Sequence, residues 1–349
     1  MAAPTYSTAQ AEHFHDPTSF QIVPDENPHS GDEPDFVTDP DNASSTQSLS
    51  SSVVNYQYEN GRRYHAYREG EYLIPNDDRE QERLQLHHHI CTLALGGGLF
   101  CSPVDLSSAE VLDLGTGTGV WAIEVAEKAA SLFFFEYPGA SVTGTDLSPI
   151  QPRWVSFNCF FEVKDFESQW EFTKPFDFIH CRNLGGSVRD FHVLFERIFN
   201  NLNLGGWVEM ADFEPGFWSD DNTIQNAPYL KEWARLQVET AYRFGKRLDA
   251  TRSLKQWMID AGFQNVTEEL YKIPLNPWPK DPHYKELGRY HQLNMIEALQ
   301  SYSLAGFTRV LEWPAEEVQA FLAEVRKEIM DRKLHIYTKF YWVYGQKPE

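Results

Sequence analysis

The chain has 349 residues, of which 42% are hydrophobic and 14% aromatic, so it can form one large α/β domain with a lid or two small domains. Its net charge of −21 argues against a broad nucleic-acid-binding face, because contacts to phosphates need clustered Lys and Arg. No run approaches the roughly 18 apolar residues of a membrane span, and Met1–Ala11 lacks the basic start and the apolar run of a secretory signal.

The cysteines are widely spaced, at Cys91, Cys101, Cys159 and Cys181, and form no Cys-x-x-Cys pair. Zinc sites and disulfide frameworks need closer or regular spacing, so reduced thiols are expected. Together with the missing secretory signal, this favours a cytoplasmic or nuclear location.

The first 54 residues differ in composition from the rest of the chain. Residues 1–56 contain nine Asp or Glu and no Lys or Arg. Such a segment cannot bury enough apolar surface to offset the entropy lost on ordering, so residues 1–54 are predicted to be a disordered acidic tail. Two interpretations are a solvated tail and a partner-binding or phosphorylated tail. A free tail implies that deleting residues 1–50 leaves thermal stability nearly unchanged.

An N-terminal helical segment is expected over about residues 55–105. The run N-D-D at 76–78 predicts the cap of a helix over Arg79–Leu95, which the glycines at 96–98 end. The triplet His87–His89 lies within this helix. Three consecutive helical side chains point in different directions and cannot share one ion, so no metal site is expected.

From Glu110 on, short apolar runs alternate with helical periodicity. The predicted strands are Glu110–Leu114, Ala140–Thr145, Phe160–Val163, Phe176–Cys181, Trp207–Ala211, Val266–Ile273 and His335–Gly345. The predicted helices between them are Val120–Lys128, Asp190–Leu202, Tyr229–Phe244 and Leu254–Ala261. This alternation is typical of a mostly parallel sheet covered by helices on both faces. Residues 274–334 look helical and are predicted to be a lid insertion above the carboxyl ends of the strands.

The run V-L-D-L-G-T-G-T-G, Val111–Gly119, follows a predicted strand and opens a helix. It has neither the G-x-G-x-x-G spacing of a dinucleotide fingerprint nor the G-K-[ST] end of a P-loop. Glycines at 115, 117 and 119 let a ligand lie against the backbone. Asp113 at the strand end is placed to meet a cationic amine. A purely structural turn is the alternative.

Two further acidic positions follow the next two strands. Asp146 ends the run G-T-D, where a carboxylate can accept both hydroxyls of a ribose. Asp165 can accept from an exocyclic adenine amine, and Phe166 offers its ring to the base. Taken singly, Asp146 has the alternative of a helix cap, and Asp165-Phe166 that of a surface loop. Together and in this order they favour an adenosine ligand.

These motifs, in this order, resemble class I S-adenosylmethionine (SAM)-dependent methyltransferases. The rest of the chain resembles the fungal LaeA-like branch of that family. The stretches that carry this likeness are N-G-R-R-Y-H-A-Y (60–67), P-N-D-D-R-E-Q-E-R-L (75–84), G-T-G-V-W-A-I-E-V-A (117–126), D-L-S-P-I-Q-P (146–152), F-D-F-I-H-C-R-N-L-G-G-S-V (176–188), L-N-P-W-P-K-D (275–281) and F-T-R-V-L-E-W (307–313). The resemblance covers about residues 55–348.

The resemblance implies an α/β, Rossmann-like class I methyltransferase fold, with a seven-stranded, mostly parallel sheet and a helical lid insertion. It also implies SAM as cofactor and methyl transfer in fungal secondary metabolism to a small-molecule or protein acceptor. The alternative is a LaeA-type regulator that acts with velvet-type transcription factors, with catalysis accessory. The predicted cofactor-binding residues are Tyr64, Asp113, Gly115, Thr116, Gly117, Gly119, Asp146, Leu147, Asp165, Phe166 and Arg182.

Candidate acceptor-site groups lie at the ends of the fourth and fifth strands. His180 is the candidate general base, with a structural histidine or a contact to the methionine part as alternatives. Arg182 can pair with the methionine carboxylate. Asp212 and Glu214 are candidates for shaping the acceptor pocket. Tyrosines 64, 67 and 72 either close over the cofactor or simply pack.

Overall fold

The computed structural model describes residues 21–25, 56–65, 67–68, 70–131 and 139–349 of the chain. Its strands are β1 (Gln57–Glu59), β2 (Arg62–Tyr64), β3 (Glu110–Leu114), β4 (Ser141–Asp146), β5 (Cys159–Val163), β6 (Phe176–Arg182), β7 (Leu202–Trp218), β8 (Gln264–Pro274) and β9 (Tyr337–Gln346). Its helices are α1 (Asp78–Ala94), α2 (Val120–Ser131), α3 (Phe191–Asn200), α4 (Pro228–Arg243), α5 (Leu254–Asp260), α6 (Pro282–Arg309) and α7 (Ala315–Met330).

The central sheet has seven strands in the order β5-β4-β3-β6-β7-β9-β8. Strands β3 to β7 pair in parallel, and β9 runs antiparallel to both β7 and β8. The chain builds outward from β3 to β5 and then returns to β6, so the strand order reverses between β3 and β6. A crevice therefore opens at the carboxyl ends of these two strands. The predicted Rossmann-like class I methyltransferase fold is confirmed.

Apolar spacing explains how the helices cover this sheet. In α3 the residues Phe191, Leu194, Phe195 and Ile198 are buried, which is the stripe of a helix with one face on the core. The carboxylate of Asp190 caps its start by accepting from the backbone N–H groups of residues 192 and 193. This helix shares a hydrophobic core with β6 and β7, and this packing holds the helix beside the crevice.

The long insertion folds as two helices. Leu299 and Phe307 of α6 and Leu322 of α7 pack in one core with Leu230 and Trp233 of α4. Asp281 caps α6 by accepting from the N–H of His283 at 2.9 Å. The predicted helical insertion is therefore present as α6 and α7, and α4 completes its core. Among the described residues, no helix is long and apolar enough to cross a membrane.

The N-terminal segment is less helical than predicted. An antiparallel hairpin, β1 and β2, precedes α1. Arg62 of β2 is buried and donates from Nη2 to Asp77 Oδ1 at 2.9 Å, while Asp77 also caps α1 by accepting from the N–H of Glu80. A single carboxylate thus anchors the hairpin to the helix.

Part of the acidic tail lies on the folded domain. Ile22 is only 3% exposed. The N–H of Asp25 donates to Trp278 O at 2.8 Å, and the N–H of Lys280 donates to Val23 O at the same distance. Residues 21–25 thus depart from the expectation of disorder, because a buried apolar side chain and backbone pairing hold them. Residues 1–20 and 26–55 of the predicted tail lie outside the described residues.

This contact revises the expectation for removing the tail. We expect Ile22→Asp to lower the free energy of unfolding by about 2 kcal/mol, because it places a carboxylate where an apolar side chain is buried. Urea unfolding of the full chain measures the change. The control is Val23→Asp, since the neighbouring Val23 is 61% exposed. Equal effects of the two substitutions would show that Ile22 burial adds nothing to stability.

Candidate functional site

Three adjoining cavities open at the carboxyl ends of the strands. The central cavity is lined by strand-end and turn residues and, across from them, by side chains of the N-terminal segment and α6: Asp113, Gly115, Gly117, Asp146, His180, Arg182, Asn183, Tyr72, Glu80, Arg83 and Tyr302. The side cavity is lined by Gly115, Asp146, Leu147, Asp165, Phe166, Leu184, Lys246, Tyr72 and Asn183, among others. The apolar cavity is lined largely by Tyr72, Ile74, Phe213, Phe217, Trp233, Ala234, Phe244, Met295, Asn183, Asp212 and Tyr302.

The glycine turn forms the floor between the central and side cavities. Gly115, Gly117 and Gly119 have φ of +68°, +57° and +80°, which L side chains rarely adopt. A Cβ on Gly115 would lie 2.6 Å from Leu184 Cδ2, and one on Gly119 would lie 2.7 Å from Phe161 Cε1. Backbone conformation and close packing therefore both require glycine at these two positions.

A buried polar pair lies beside this turn. His180 is 1% exposed, its Nδ1 lies 2.7 Å from Asp113 Oδ1, and its ring stacks on Trp121 at 3.6 Å between centroids. The Thr116 hydroxyl donates to the other oxygen of Asp113 at 2.6 Å. Burial lowers the pKa of His180, which keeps the imidazole neutral. With Nδ1–H donated to Asp113, Nε2 is a buried acceptor without a hydrogen-bond partner in the described structure.

Asp146 ends β4 between the central and side cavities. Its Oδ2 accepts from the N–H of Gly117 at 2.9 Å, and its Oδ1 accepts from the N–H of Ser148 at 2.8 Å. Burial raises the pKa of Asp146 to about 6. The two backbone bonds fix the carboxylate and leave further lone pairs for a ligand that donates two hydroxyls.

Asp165 and Phe166 stand together in the wall of the side cavity. Asp165 accepts from the N–H of Glu167 at 2.8 Å and from the hydroxyl of Ser168 at 2.9 Å. The backbone carbonyl of Phe166 accepts from the Trp170 indole at 2.8 Å. These bonds hold the loop after β5, so that a carboxylate and an aromatic ring border one compartment.

Helix α1 contributes side chains that the motifs did not indicate. Glu80 and Arg83 are almost fully buried, and Arg83 Nη2 donates to Glu80 Oε1 at 2.7 Å. Arg83 Nη1 also donates to Asn294 Oδ1 of α6 at 3.0 Å. The sequence indicates this role of α1 only weakly. The helix has mostly polar residues on every side, which is unusual for a helix that packs between a sheet and a lid.

Arg182 lies in the central cavity at the end of β6. Its Nη2 is 3.0 Å from His88 Nδ1, and His88 Nε2 is 2.6 Å from Glu124 Oε2. Burial lowers the pKa of His88 to about 4, so this imidazole is neutral at physiological pH. The guanidinium thus keeps donors available for an anionic group in the central cavity.

Comparisons with known proteins address the family directly. A family model described as a methyltransferase domain matches residues 86–268. The methyltransferase pytC of Aspergillus terreus is 38% identical over 318 residues, which cover 91% of this chain and 94% of that protein. LaeA of Emericella nidulans, described both as a protein-methionine methyltransferase and as a secondary metabolism regulator, is 36% identical over 298 residues, which cover 84% of this chain and 77% of that protein.

The chain belongs to this methyltransferase family. The resemblance to the LaeA-like branch, the SAM-dependent methyltransferase activity and the SAM cofactor are thereby confirmed. Among solved structures, the phosphoethanolamine N-methyltransferase 2 of Haemonchus contortus in complex with SAM aligns with a TM-score of 0.41 and 17% identity. That alignment covers 77% of this chain and 53% of the other, so the chain spans about half the length of that enzyme.

The structure brings most of the predicted cofactor residues of this methyltransferase together. All of them except Tyr64 and Gly119 line the central or side cavity, and Gly119 completes the turn below. Their roles toward SAM stay predictions. His180 lies in the central cavity with Asp113, whereas the described wall of the apolar cavity does not include it.

Other predicted residues lie elsewhere. Tyr64 is 3% exposed, and the guanidinium carbon of Arg309 lies 4.7 Å from the centre of the Tyr64 ring. It is absent from the described walls of the three cavities, because its position on β2 turns it toward α6. Of the three tyrosines proposed to close over the cofactor, Tyr72 does line all three cavities. Within the described part of the chain, no group of three potential metal ligands is present.

Proposed function

We propose that SAM lies across the central and side cavities. The methionine part then occupies the central cavity, the ribose lies at Asp146, and the adenine lies between Asp165 and Phe166. The support is the chemistry of the walls: an anion-binding arginine and two buried carboxylates in one compartment, and an aromatic ring with an acceptor in the other. The glycine turn leaves backbone exposed between them, where a side chain would collide.

We assign His180 to cofactor binding instead of to proton removal from the acceptor. Its unpartnered Nε2 is an acceptor suited to the α-ammonium of SAM, while Asp113 holds the ring orientation through Nδ1. Arg182 donates to the α-carboxylate. This reading replaces the general-base hypothesis, because His180 borders the central cavity and not the described apolar one.

We propose that the acceptor is a small, largely apolar molecule bound in the apolar cavity. The observation that carries this is the shared wall: Tyr72, Asn183 and Tyr302 line both the apolar and the central cavity. A molecule packed against Phe217, Trp233 and their neighbours is therefore adjacent to the cofactor. Apolar walls with a few polar groups are typical of small-molecule sites.

Asp212 is the proposed proton acceptor when the acceptor atom carries a proton. Its carboxyl lines the apolar cavity, accepts from the N–H of Gly185 at 2.6 Å, and has its pKa raised to about 7 by burial. When bound, SAM supplies an electrophilic methyl group, and the S–C electron pair stays on sulfur. An O–H or N–H acceptor then bonds to the methyl carbon and passes its proton to Asp212.

Filling the apolar cavity tests the acceptor assignment. We expect Ala234→Trp to reduce methylation of small molecules at least about tenfold, while SAM affinity changes less than about twofold. The assay incubates the full chain with methyl-labelled SAM and a fungal metabolite extract, and follows labelled products by mass spectrometry. Calorimetry measures SAM binding separately.

Lys231→Trp is the matched control, since residue 231 is exposed on the same helix. It is expected to leave both measurements unchanged. Labelled small molecules formed at the wild-type rate by Ala234→Trp would exclude the apolar cavity as the acceptor site.

A methionine thioether in a protein is the second candidate acceptor. The description of the Emericella nidulans laeA relative as a protein-methionine methyltransferase favours it. A thioether carries no proton, so Asp212→Asn is expected to spare this reaction and to impair methylation of hydroxyl acceptors. Label recovered only in peptides identifies the protein acceptor.

A regulatory role rests on the LaeA-type resemblance. We propose that this role involves velvet-type partner proteins and a cytoplasmic or nuclear location. A stoichiometric velvet protein in a pull-down from native extract supports the role, and imaging of the tagged chain tests the location.

A further inference from the structure

Asn183 follows β6 and has an uncommon backbone conformation. Its φ is +56°, in the left-handed region that non-glycine residues seldom occupy. The N–H of Asn183 donates to Ala211 O at 2.9 Å, which ties this bend to β7. The side-chain amide oxygen is buried and has no hydrogen-bond partner within the described structure. This unused buried acceptor points to a ligand.

Asn183 also occupies a special place among the cavities. It lines the central, side and apolar cavities, a property it shares with Tyr72. Asn183 therefore borders the point at which the three compartments meet. A ligand group that sends one branch into each compartment would lie against this amide.

The sulfonium of SAM is such a group, since its sulfur joins the methionine chain, the adenosyl group and the methyl group. We propose that Asn183 recognises the sulfonium and its methyl group and makes the site prefer SAM over the product S-adenosylhomocysteine (SAH). This inference rests on the proposed placement of SAM. The proposal assigns to Asn183 the task of distinguishing the cofactor SAM from its demethylated product SAH.

The preference follows from charge. The amide oxygen carries partial negative charge, and burial strengthens its attraction to a cation. The sulfonium is positively charged and polarises its methyl C–H groups, which makes them weak hydrogen-bond donors. SAH has a neutral thioether and no methyl group, so it gains nothing from this oxygen. The asymmetry favours loading of SAM and release of product.

Asn183→Gly tests the inference, because glycine adopts the same φ without strain and removes only the side chain. Calorimetry with SAM and with SAH on the full chain gives both dissociation constants. We expect SAM affinity to fall about tenfold, the scale of one hydrogen bond to a charged group, and SAH affinity to change less than about twofold. Thermal stability is expected to be unchanged or slightly higher.

Asn222→Gly is the matched control. Asn222 has φ of +67°, is exposed and makes no side-chain capping bond. This variant is expected to keep the wild-type ratio of SAM to SAH affinity. An unchanged ratio in Asn183→Gly, or equal losses for both ligands, overturns the role of Asn183. Failure of the wild-type chain to bind either ligand instead overturns the proposed cofactor site itself, so the two failures are distinguishable.

Discussion

Asp146→Ala is expected to weaken SAM binding at least about tenfold, equivalent to about 1.4 kcal/mol or more. The carboxylate is fixed by the N–H groups of Gly117 and Ser148, so it is already oriented for two ribose hydroxyls. Alanine removes these acceptors and leaves the N–H of Gly117 without its partner in the glycine turn. Isothermal calorimetry with SAM measures the change, and unchanged affinity would remove Asp146 from the site.

Asp105→Ala is the control for this substitution. Asp105 accepts from the N–H two residues ahead, at 2.9 Å, as Asp146 does, but it lies exposed and outside the described cavity walls. SAM affinity of this variant is expected to equal that of the wild type. Comparing the two variants separates the loss of the proposed ribose contact from the effect of removing an acidic turn residue elsewhere.

The same experiment has a pH dependence with a defined sign. Burial raises the pKa of Asp146 to about 6, and the ionised form is the better acceptor for two hydroxyls. SAM affinity is therefore expected to fall as pH drops from 7.5 through about 6. In Asp146→Asn this part of the pH dependence is expected to disappear.

Gly119→Ala is expected to cost about 2 to 5 kcal/mol of unfolding free energy. A Cβ at φ of +80° costs about 1 to 2 kcal/mol, and a contact 2.7 Å from Phe161 Cε1 adds an overpacking cost of about 1 to 3 kcal/mol. Urea unfolding measures the loss. Since Phe161 lies on β5, we also expect weaker SAM binding as the turn shifts away from this ring.

Gly96→Ala separates the two costs. Gly96 has φ of +61°, and a Cβ there would meet no atom within 4 Å. Only the backbone cost of about 1 to 2 kcal/mol is expected. Equal losses in the two variants would show that close packing against Phe161 does not constrain the turn.

The sheet and its turn were predictable because their signals are local. Most of the buried strands are short apolar runs. The turn shows its constraint in the sequence, because glycine suits the backbone angles of residues 115, 117 and 119. The predicted strand Trp207–Ala211 is part of the longer β7, because antiparallel pairing with β9 extends it to Trp218. Strand ends depend on such distant pairing.

The cavity walls away from the sheet were less predictable. Glu80 and Arg83 are buried as a pair, and Arg83 also donates to Asn294, a residue more than 200 positions away. Ile22 is buried in a segment whose backbone pairs with Trp278 and Lys280, more than 250 positions away. The place of Tyr64 also depends on a distant residue, since the guanidinium of Arg309 lies over its ring. Sequence patterns describe one segment at a time, whereas each of these contacts joins two segments that lie far apart in the sequence.

Different elements of the fold form the walls of the different cavities. The strand ends, the glycine turn and the N-terminal segment provide most of the central and side cavities, whereas α4 and α6 provide much of the apolar one. In the proposed arrangement, substitutions in the two helices alter the choice of acceptor while the cofactor contacts persist. Tyr72, Ile74, Asn183 and Tyr302 line both the apolar and the central cavity, so in the proposed arrangement a substitution at any of them affects both ligands.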